Sequence, residues 1–159
     1  MRHSHQSVIV GARTVGFHRI VFTDFDGVLH SAQGSNGRML PFEWLTILAD
    51  ELAAFTDVGV CVHSSWREQF ADDYLRDFLG PLASRFAGAV PRGAKAAAIA
   101  QFLHAQPRIV DALVLDDEPD EVRNCGAMIL ACDPQLGISC SQTRRRLRAW
   151  LRSTPSPMS

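Results

Sequence analysis

The sequence is poor in lysine and has no long apolar runs. Of its 16 basic residues, 15 are arginine and only one, Lys95, is lysine. No apolar stretch approaches the roughly 20 residues of a membrane-spanning helix, and the N-terminal apolar patch is too short for a signal peptide. These absences predict a cytoplasmic protein that does not enter a membrane. The net charge of −1 argues against a surface generally coated with nucleic acid.

The four cysteines lack the spacing of a structural zinc site. None belongs to a CxxC pair, and no histidine lies at zinc-finger spacing from them. Without a secretory signal, free thiols in a reducing compartment are expected. Cys61 and Cys132 fall inside apolar runs and are predicted to be buried.

Strand-like and helix-like segments alternate along a chain of 159 residues, a length that fits one domain. Apolar runs predict five strands, at residues 18–25, 58–65, 85–90, 111–118 and 127–133. Helical spacing or propensity predicts four helices, at residues 42–55, 67–79, 94–105 and 141–152. The order predicts an α/β, three-layer Rossmann-like fold, whose five-stranded, mainly parallel sheet has helices on both faces. The domain is expected to span 1–152, followed by a disordered tail, 153–159.

Acidic residues follow two of the predicted strands. Asp24, Asp26 and Gly27 follow the first, and Asp116 and Asp117 close the fourth. In parallel sheets, chemistry gathers at the carboxyl ends of the strands. Carboxylates crowded there need a cation between them, and oxygen ligands suit Mg²⁺. Either group alone could be a solvated turn or a helix cap, but together they indicate a Mg²⁺ site.

Four segments carry a resemblance to a known family. They resemble, in the expected order, motifs I to IV of the haloacid dehalogenase-like (HAD) superfamily and cover roughly residues 18–133: DFDGVLH, VCVHSSWR, Lys95 and LVLDDEPDEV. With a late DPQLGIS, the strings look closest to the HAD branch of Swiss-Army-knife RNA-repair proteins. The resemblance implies the HAD fold and phosphoryl-transfer chemistry.

The resemblance also implies roles for the acidic residues. Asp24 would be the nucleophile that forms an aspartyl-phosphate. Asp26 would be the general acid that protonates the leaving group, and then the base for the attacking water. Mg²⁺ would be held by Asp24, the backbone carbonyl of Asp26 and Asp116, with Asp117 close by or acting through water.

The substrate phosphate would be bound after the second strand. Ser64 or Ser65 would bind phosphoryl oxygens; the doubled serine allows a slip of one residue, and Ser64 is preferred. Arg67 could bind the phosphate bidentately, or it could start a helix and pair with an acid such as Asp72 or Asp73.

Two further residues, Lys95 and His30, have both a functional and a plain interpretation. Lys95 would offset charge on the phosphorylated intermediate, but it could also be an ordinary exposed lysine, with Arg92 as the fallback. His30 could touch the leaving group, but a solvated loop histidine is the favoured interpretation.

Two gaps are too short to hold a cap domain. About eleven residues separate Leu29 from Pro41, and four separate Val90 from Lys95. The molecule is therefore predicted to be capless, with an open site and residues 31–40 as a mobile flap. By the resemblance, such proteins often act on macromolecular phosphates.

The sequence thus predicts a Mg²⁺-dependent phosphohydrolase acting on a phosphomonoester, either a small molecule or a nucleic-acid end. A phosphotransferase would use the same residues. The alternative is a non-catalytic HAD-fold module that binds RNA or a protein through helix 141–152, which is rich in arginine. The sequence leaves the oligomeric state of the protein open.

Overall fold

The structure is a computed structural model that describes residues 16–32 and 40–153. Five parallel strands form one sheet, in the order β3-β2-β1-β4-β5. The strands are β1 Arg19–Thr23, β2 Val58–Val62, β3 Phe86–Ala89, β4 Asp111–Asp116 and β5 Met128–Ala131. All five predicted strands are confirmed, each shortened to the part that pairs with a neighbour.

In residues 16–32 and 40–153, four α-helices connect or follow the strands. They are α1 Leu45–Leu52, α2 Asp72–Phe78, α3 Lys95–His104 and α4 Ser141–Arg152. The same described segments contain four short 3-10 helices, at Ser65–Glu68, Gly80–Arg85, Pro119–Val122 and Gly137–Ser139. The single helix predicted at 67–79 is instead two elements, the 3-10 helix Ser65–Glu68 and the α-helix α2, with residues 69–71 between them. Ser64 caps that 3-10 helix by accepting a hydrogen bond from the amide of Trp66.

The two faces of the sheet bury different sets of side chains. Because successive side chains of a strand point to opposite faces, Val21 of β1 faces the core shared with α1, α2 and α4. Ile20 and Phe22 face the core shared with α3. The apolar strands are therefore covered on both sides, as expected for a parallel sheet.

Several features of the fold bear on earlier predictions. Only residues 90–94 separate β3 from α3, and the part of the chain described by the structure has no cap domain.

The four cysteines are free, and Cys61 and Cys132 are buried, as predicted. None of the described helices combines the length and hydrophobicity needed to cross a membrane. Most of the predicted flap, and the tail beyond residue 153, lie outside the described residues.

Candidate active site

Three polar side chains lie in one row at the carboxyl ends of the three central strands, β2, β1 and β4. Thr23 of β1 is paired with the last residue of β2 on one side and with Leu115 of β4 on the other. The next residue of each strand is therefore in register, which aligns His63, Asp24 and Asp116. All three side chains are buried, although they are polar or charged. By the alternation of strand side chains they lie on the face covered by α3.

Lys95 brings a positive charge to this row. It is the first residue of α3, and its Nζ lies 3.0 Å from Oδ2 of Asp24 and 3.2 Å from Oδ2 of Asp116. Oε1 of Glu121 is a third carboxylate oxygen, at 3.3 Å. Burial would lower the pKa of Lys95, but the charges of Asp24 and Asp116 outweigh it and hold the pKa above its ordinary value. The ammonium therefore stays charged among three carboxylates, and Lys95 is not an ordinary surface lysine.

Asp116 is held from three directions. His63 Nε2 lies 2.7 Å from its Oδ2, which also accepts from Lys95, while its Oδ1 accepts from the amide of Glu118 at 2.7 Å. Burial opposes ionisation of Asp116, but the hydrogen bond and charge of His63, with further help from Lys95, leave its pKa lowered. This carboxylate is therefore fixed and ionised.

Asp117 packs against the turn that follows β1. Gly27 has a φ of +77°, and a Cβ at that position would lie 2.4 Å from Cγ of Asp117. The glycine thus serves two needs, the left-handed backbone and the close approach of a carboxyl group. Motif I and motif IV meet here, as the sequence predicted.

The side chain of Asp26 belongs to a separate hydrogen-bond network. Its Oδ1 lies 2.8 Å from Nε2 of His30, and its Oδ2 accepts from the indole N–H of Trp66 at 3.0 Å. His30 is completely buried, so the favoured interpretation of a solvated loop histidine is wrong. The histidine is buried because its ring packs edge-on against Phe42 and beside Trp66.

The two candidate serines differ in exposure. Ser64 is buried directly after His63, and its Oγ accepts from the amide of Trp66 at 3.3 Å. Ser65 is exposed, inside the 3-10 helix. Binding of a phosphate by either serine stays a prediction, although the position of Ser64 beside the row favours it.

Arg67 has an arrangement that neither earlier interpretation described. Its guanidinium is buried and donates to four backbone carbonyls, those of His63 at 2.8 Å, Ser64 at 3.1 Å, Pro91 at 3.1 Å and Gly93 at 2.6 Å. These contacts join the end of β2 to the loop that precedes α3. Arg67 therefore fixes the backbone around the site, and direct binding of substrate by it stays a prediction.

The carboxylates of the site fit a divalent cation. Ligand atoms of Asp24, His63 and Asp116 lie within 4.8 Å of one another. The pKa of Asp117 is raised to about 6, because burial and the charges of Asp24 and Asp116 disfavour its ionisation. A divalent cation would relieve this repulsion, and Mg²⁺ prefers such carboxylate oxygens. The predicted ligand set of Asp24, Asp26, Asp116 and Asp117 therefore remains chemically suitable.

Two residues of the site were missed in the sequence. His63 interrupts the second apolar run at its carboxyl end, and that interruption is the signal that could have revealed it. Its Nδ1 is buried and has no hydrogen-bond partner among the described residues. Glu121 lies in the turn after the acidic pair, where no local pattern distinguishes it from a solvated acid.

Comparison with known proteins agrees with the geometry. A family model described as the HAD domain in Swiss Army Knife RNA repair proteins matches residues 20–143, a range that contains every residue of the row. No curated protein shows significant similarity to the chain.

Proposed function

The chain belongs to the family of HAD domains found in Swiss Army Knife RNA repair proteins, and we propose that it is a Mg²⁺-dependent phosphohydrolase acting on phosphomonoesters through an aspartyl-phosphate. The observation that carries the proposal is the buried carboxylate of Asp24, held 3.0 Å from the ammonium of Lys95 and in register with Asp116. A buried carboxylate set against a partly buried cation at strand ends supports a chemical role, because stability alone does not require such a pair.

In the first step Asp24 attacks the phosphorus atom of the substrate. A carboxylate oxygen forms the new P–O bond while the bond to the leaving oxygen breaks, and Asp26 gives that oxygen a proton. Asp24 is oriented for the attack because its Oδ1 accepts from the amide of Phe25 at 2.8 Å and its Oδ2 faces Lys95. Lys95 also offsets the charge that develops on the phosphoryl oxygens.

In the second step water attacks the aspartyl-phosphate. Asp26, now a carboxylate, takes a proton from the water, whose oxygen bonds to phosphorus while the bond to Asp24 breaks. Inorganic phosphate leaves, and both aspartates return to their starting states. A bound Mg²⁺, held by Asp24 and Asp116 with Asp117 and the Asp26 carbonyl, would offset the repulsion between carboxylate and phosphate.

The open surroundings of Asp26 support a substrate that is not enclosed. Its side chain is 43 % exposed, and the described chain carries no cap over it. A phosphate at the end of a nucleic acid and a small phosphomonoester both fit this description. The family description, which refers to RNA repair proteins, favours the nucleic-acid end as the first substrate to try.

The decisive experiment compares wild type with Asp24→Asn, using p-nitrophenyl phosphate and a 3′- or 5′-phosphorylated oligonucleotide with Mg²⁺. We expect Mg²⁺-dependent release of phosphate by wild type, and a loss of about three orders of magnitude or more in the variant. Asp50→Asn is the matched control, because Asp50 is exposed on α1. Equal rates for wild type and Asp24→Asn would refute the role of the nucleophile.

The alternative is a non-catalytic module that binds RNA or a protein through α4. Arg145 and Arg146 are exposed on this helix, whereas Arg148 is paired with Glu51 at 2.7 Å. Absence of phosphatase activity on every phosphoester, combined with RNA binding that weakens in an Arg145→Ala/Arg146→Ala variant, would favour this alternative. The RNA affinity of that variant should also depend less steeply on salt concentration, because a complex with fewer phosphate contacts releases fewer counterions.

A further inference from the structure

Both carboxylate oxygens of Asp26 are held by aromatic side chains, those of the buried His30 and the partly buried Trp66. His30 Nε2 lies 2.8 Å from Oδ1, and Trp66 Nε1 lies 3.0 Å from Oδ2. The two partners approach from separate segments, the turn after β1 and the 3-10 helix after β2. Two contacts on different oxygens fix the plane of the carboxylate as well as its position.

The tautomer of His30 follows from a third hydrogen bond. The backbone N–H of Phe42 donates to Nδ1 of His30 at 3.1 Å, so Nδ1 carries no proton. A neutral imidazole then has its proton on Nε2, which makes His30 a donor toward Asp26. The indole N–H of Trp66 is a donor by its chemistry. Asp26 therefore faces two hydrogen-bond donors and no acceptor among these partners.

The donors are anchored by aromatic packing. The rings of His30 and Trp66 belong to one aromatic cluster, which also contains Phe25, Phe42, Phe70 and Phe78. Phe42 adopts a φ of +59°, in the left-handed region that non-glycine residues rarely occupy. The ring contacts of Phe42 hold its backbone in this conformation, and in it the amide of Phe42 points toward Nδ1 of His30.

This arrangement determines where a proton on Asp26 can go. Each carboxylate oxygen has a second lone pair that can bind the proton. Neither His30 nor Trp66 can accept that proton, because both are donors in this network. The side chain is 43 % exposed on its remaining side. A proton on Asp26 is therefore available only to a group that enters from the open side.

We propose that His30 and Trp66 are positioning residues that direct the acid proton of Asp26 to the leaving oxygen of a substrate. The inference rests on the proposed phosphohydrolase function and extends it to a substrate class. An alkoxide leaving group needs a proton as the P–O bond breaks, whereas p-nitrophenolate leaves without one. The site is thus built for unactivated alkyl phosphomonoesters, such as those of sugar hydroxyl groups.

The test compares two substrates, β-glycerophosphate and p-nitrophenyl phosphate, in wild type, His30→Phe and Trp66→Phe. Both variants keep an aromatic ring and remove the donor to Asp26. General acid catalysis contributes about 10²–10⁴-fold, so partial misplacement of the acid should lower kcat on β-glycerophosphate by about tenfold or more. We expect kcat on p-nitrophenyl phosphate to fall by less than about threefold. His30→Gln, whose amide again offers an N–H, should recover part of the loss.

Phe70→Leu is the matched control, because Phe70 packs on the same cluster and its ring touches Trp66. Its two rates should change in parallel. The positioning role is wrong if the His30 and Trp66 variants also lose the two activities in the same proportion. It is equally wrong if they lose neither activity. An inactive wild type would instead overturn the phosphohydrolase function, and this inference with it. If His30→Phe does not fold, Trp66→Phe decides the question alone.

A second readout does not depend on catalysis. In the metal-free protein, ¹H–¹⁵N NMR of the His30 ring should show a protonated Nε2 and an unprotonated Nδ1. Asp26→Ala should shift both the Trp66 indole resonance and the His30 Nε2 resonance. An Nδ1-protonated ring, or resonances that ignore Asp26, would overturn the proposed network.

Discussion

The ammonium of Lys95 lies 3.0 Å from Oδ2 of Asp24, although 71 residues of chain separate them. The only lysine of the sequence thus stands against the acid that opens motif I, while arginine supplies every other long basic side chain. An ammonium is compact and can meet three carboxylates at one point. A guanidinium is planar and larger, and it prefers two parallel contacts with one carboxylate.

Replacement of Lys95 tests whether this difference matters. Lys95→Arg should lower kcat/KM about tenfold or more, because the guanidinium cannot occupy the same point. Lys95→Met should also lower the free energy of unfolding by about 3 kcal/mol, since Asp24 and Asp116 lose their cation while buried. Urea denaturation and phosphatase assays measure the two effects. Full activity in Lys95→Arg would mean that the presence of lysine here is accidental.

Asp117 gives a prediction about pH. Its pKa is about 6 in the folded protein, against 3.8 as its ordinary value. The folded state therefore binds the proton more tightly, and stability falls as pH rises from about 4 to about 6. Asp117→Asn should raise the free energy of unfolding at pH 7 by about 1 kcal/mol after allowance for solvent screening. The gain should vanish below about pH 4.

Urea unfolding in EDTA across this pH range measures the effect. Asp50→Asn serves as the control, because Asp50 is exposed on α1 and should give no pH-dependent difference. A destabilising Asp117→Asn at pH 7 would contradict the repulsion among the carboxylates.

Gly27 is expected to tolerate no side chain. Gly27→Ala would place a methyl group 2.4 Å from Cγ of Asp117, on a backbone that already has a φ of +77°. Gly126→Ala is the matched control, since Gly126 has a φ of +95° and no atom within 4 Å of an added Cβ. Gly27→Ala should therefore lower the thermal midpoint more than Gly126→Ala and also reduce phosphatase activity. Equal effects on stability and activity would mean that only the backbone conformation matters.

Replacement of Arg67 distinguishes a structural role of this side chain from direct binding of substrate. Arg67→Lys cannot reach four carbonyls at once, and the free energy of unfolding should fall by about 2 kcal/mol or more. The control is Arg92→Lys, since the contact of Arg92 with the Glu68 carbonyl is exposed. An increased KM for substrate with unchanged stability would instead support direct binding of phosphate by Arg67.

The sequence was sufficient to predict the fold and the acidic half of the site. Apolar runs and helical spacing are local signals, and their alternation leaves few arrangements for a sheet buried on both faces. Asp24, Asp116 and Asp117 could be placed together because parallel strands end at one edge. Lys95 was placed correctly because it is unique and lies at the position that the family motif requires.

The remaining parts of the site depend on contacts that no local pattern encodes. His30 looked like a solvated residue because its burial comes from Phe42 and Trp66, which are distant in sequence. His63 lies between an apolar strand and a pair of serines, and only the register with β1 reveals its neighbours. A cytoplasmic location, the extent of the domain and the oligomeric state stay predictions or open questions.

The row of His63, Asp24 and Asp116 has a consequence for how the protein matures. Its members lie at the carboxyl ends of three strands and are 39 and 53 positions apart along the chain, yet each depends on its neighbours for register. A partly folded chain therefore has no site to offer, because the row exists only after β2, β1 and β4 are aligned. Recovery of catalysis during refolding would thus follow completion of the central sheet and would distinguish a native chain from a merely collapsed one.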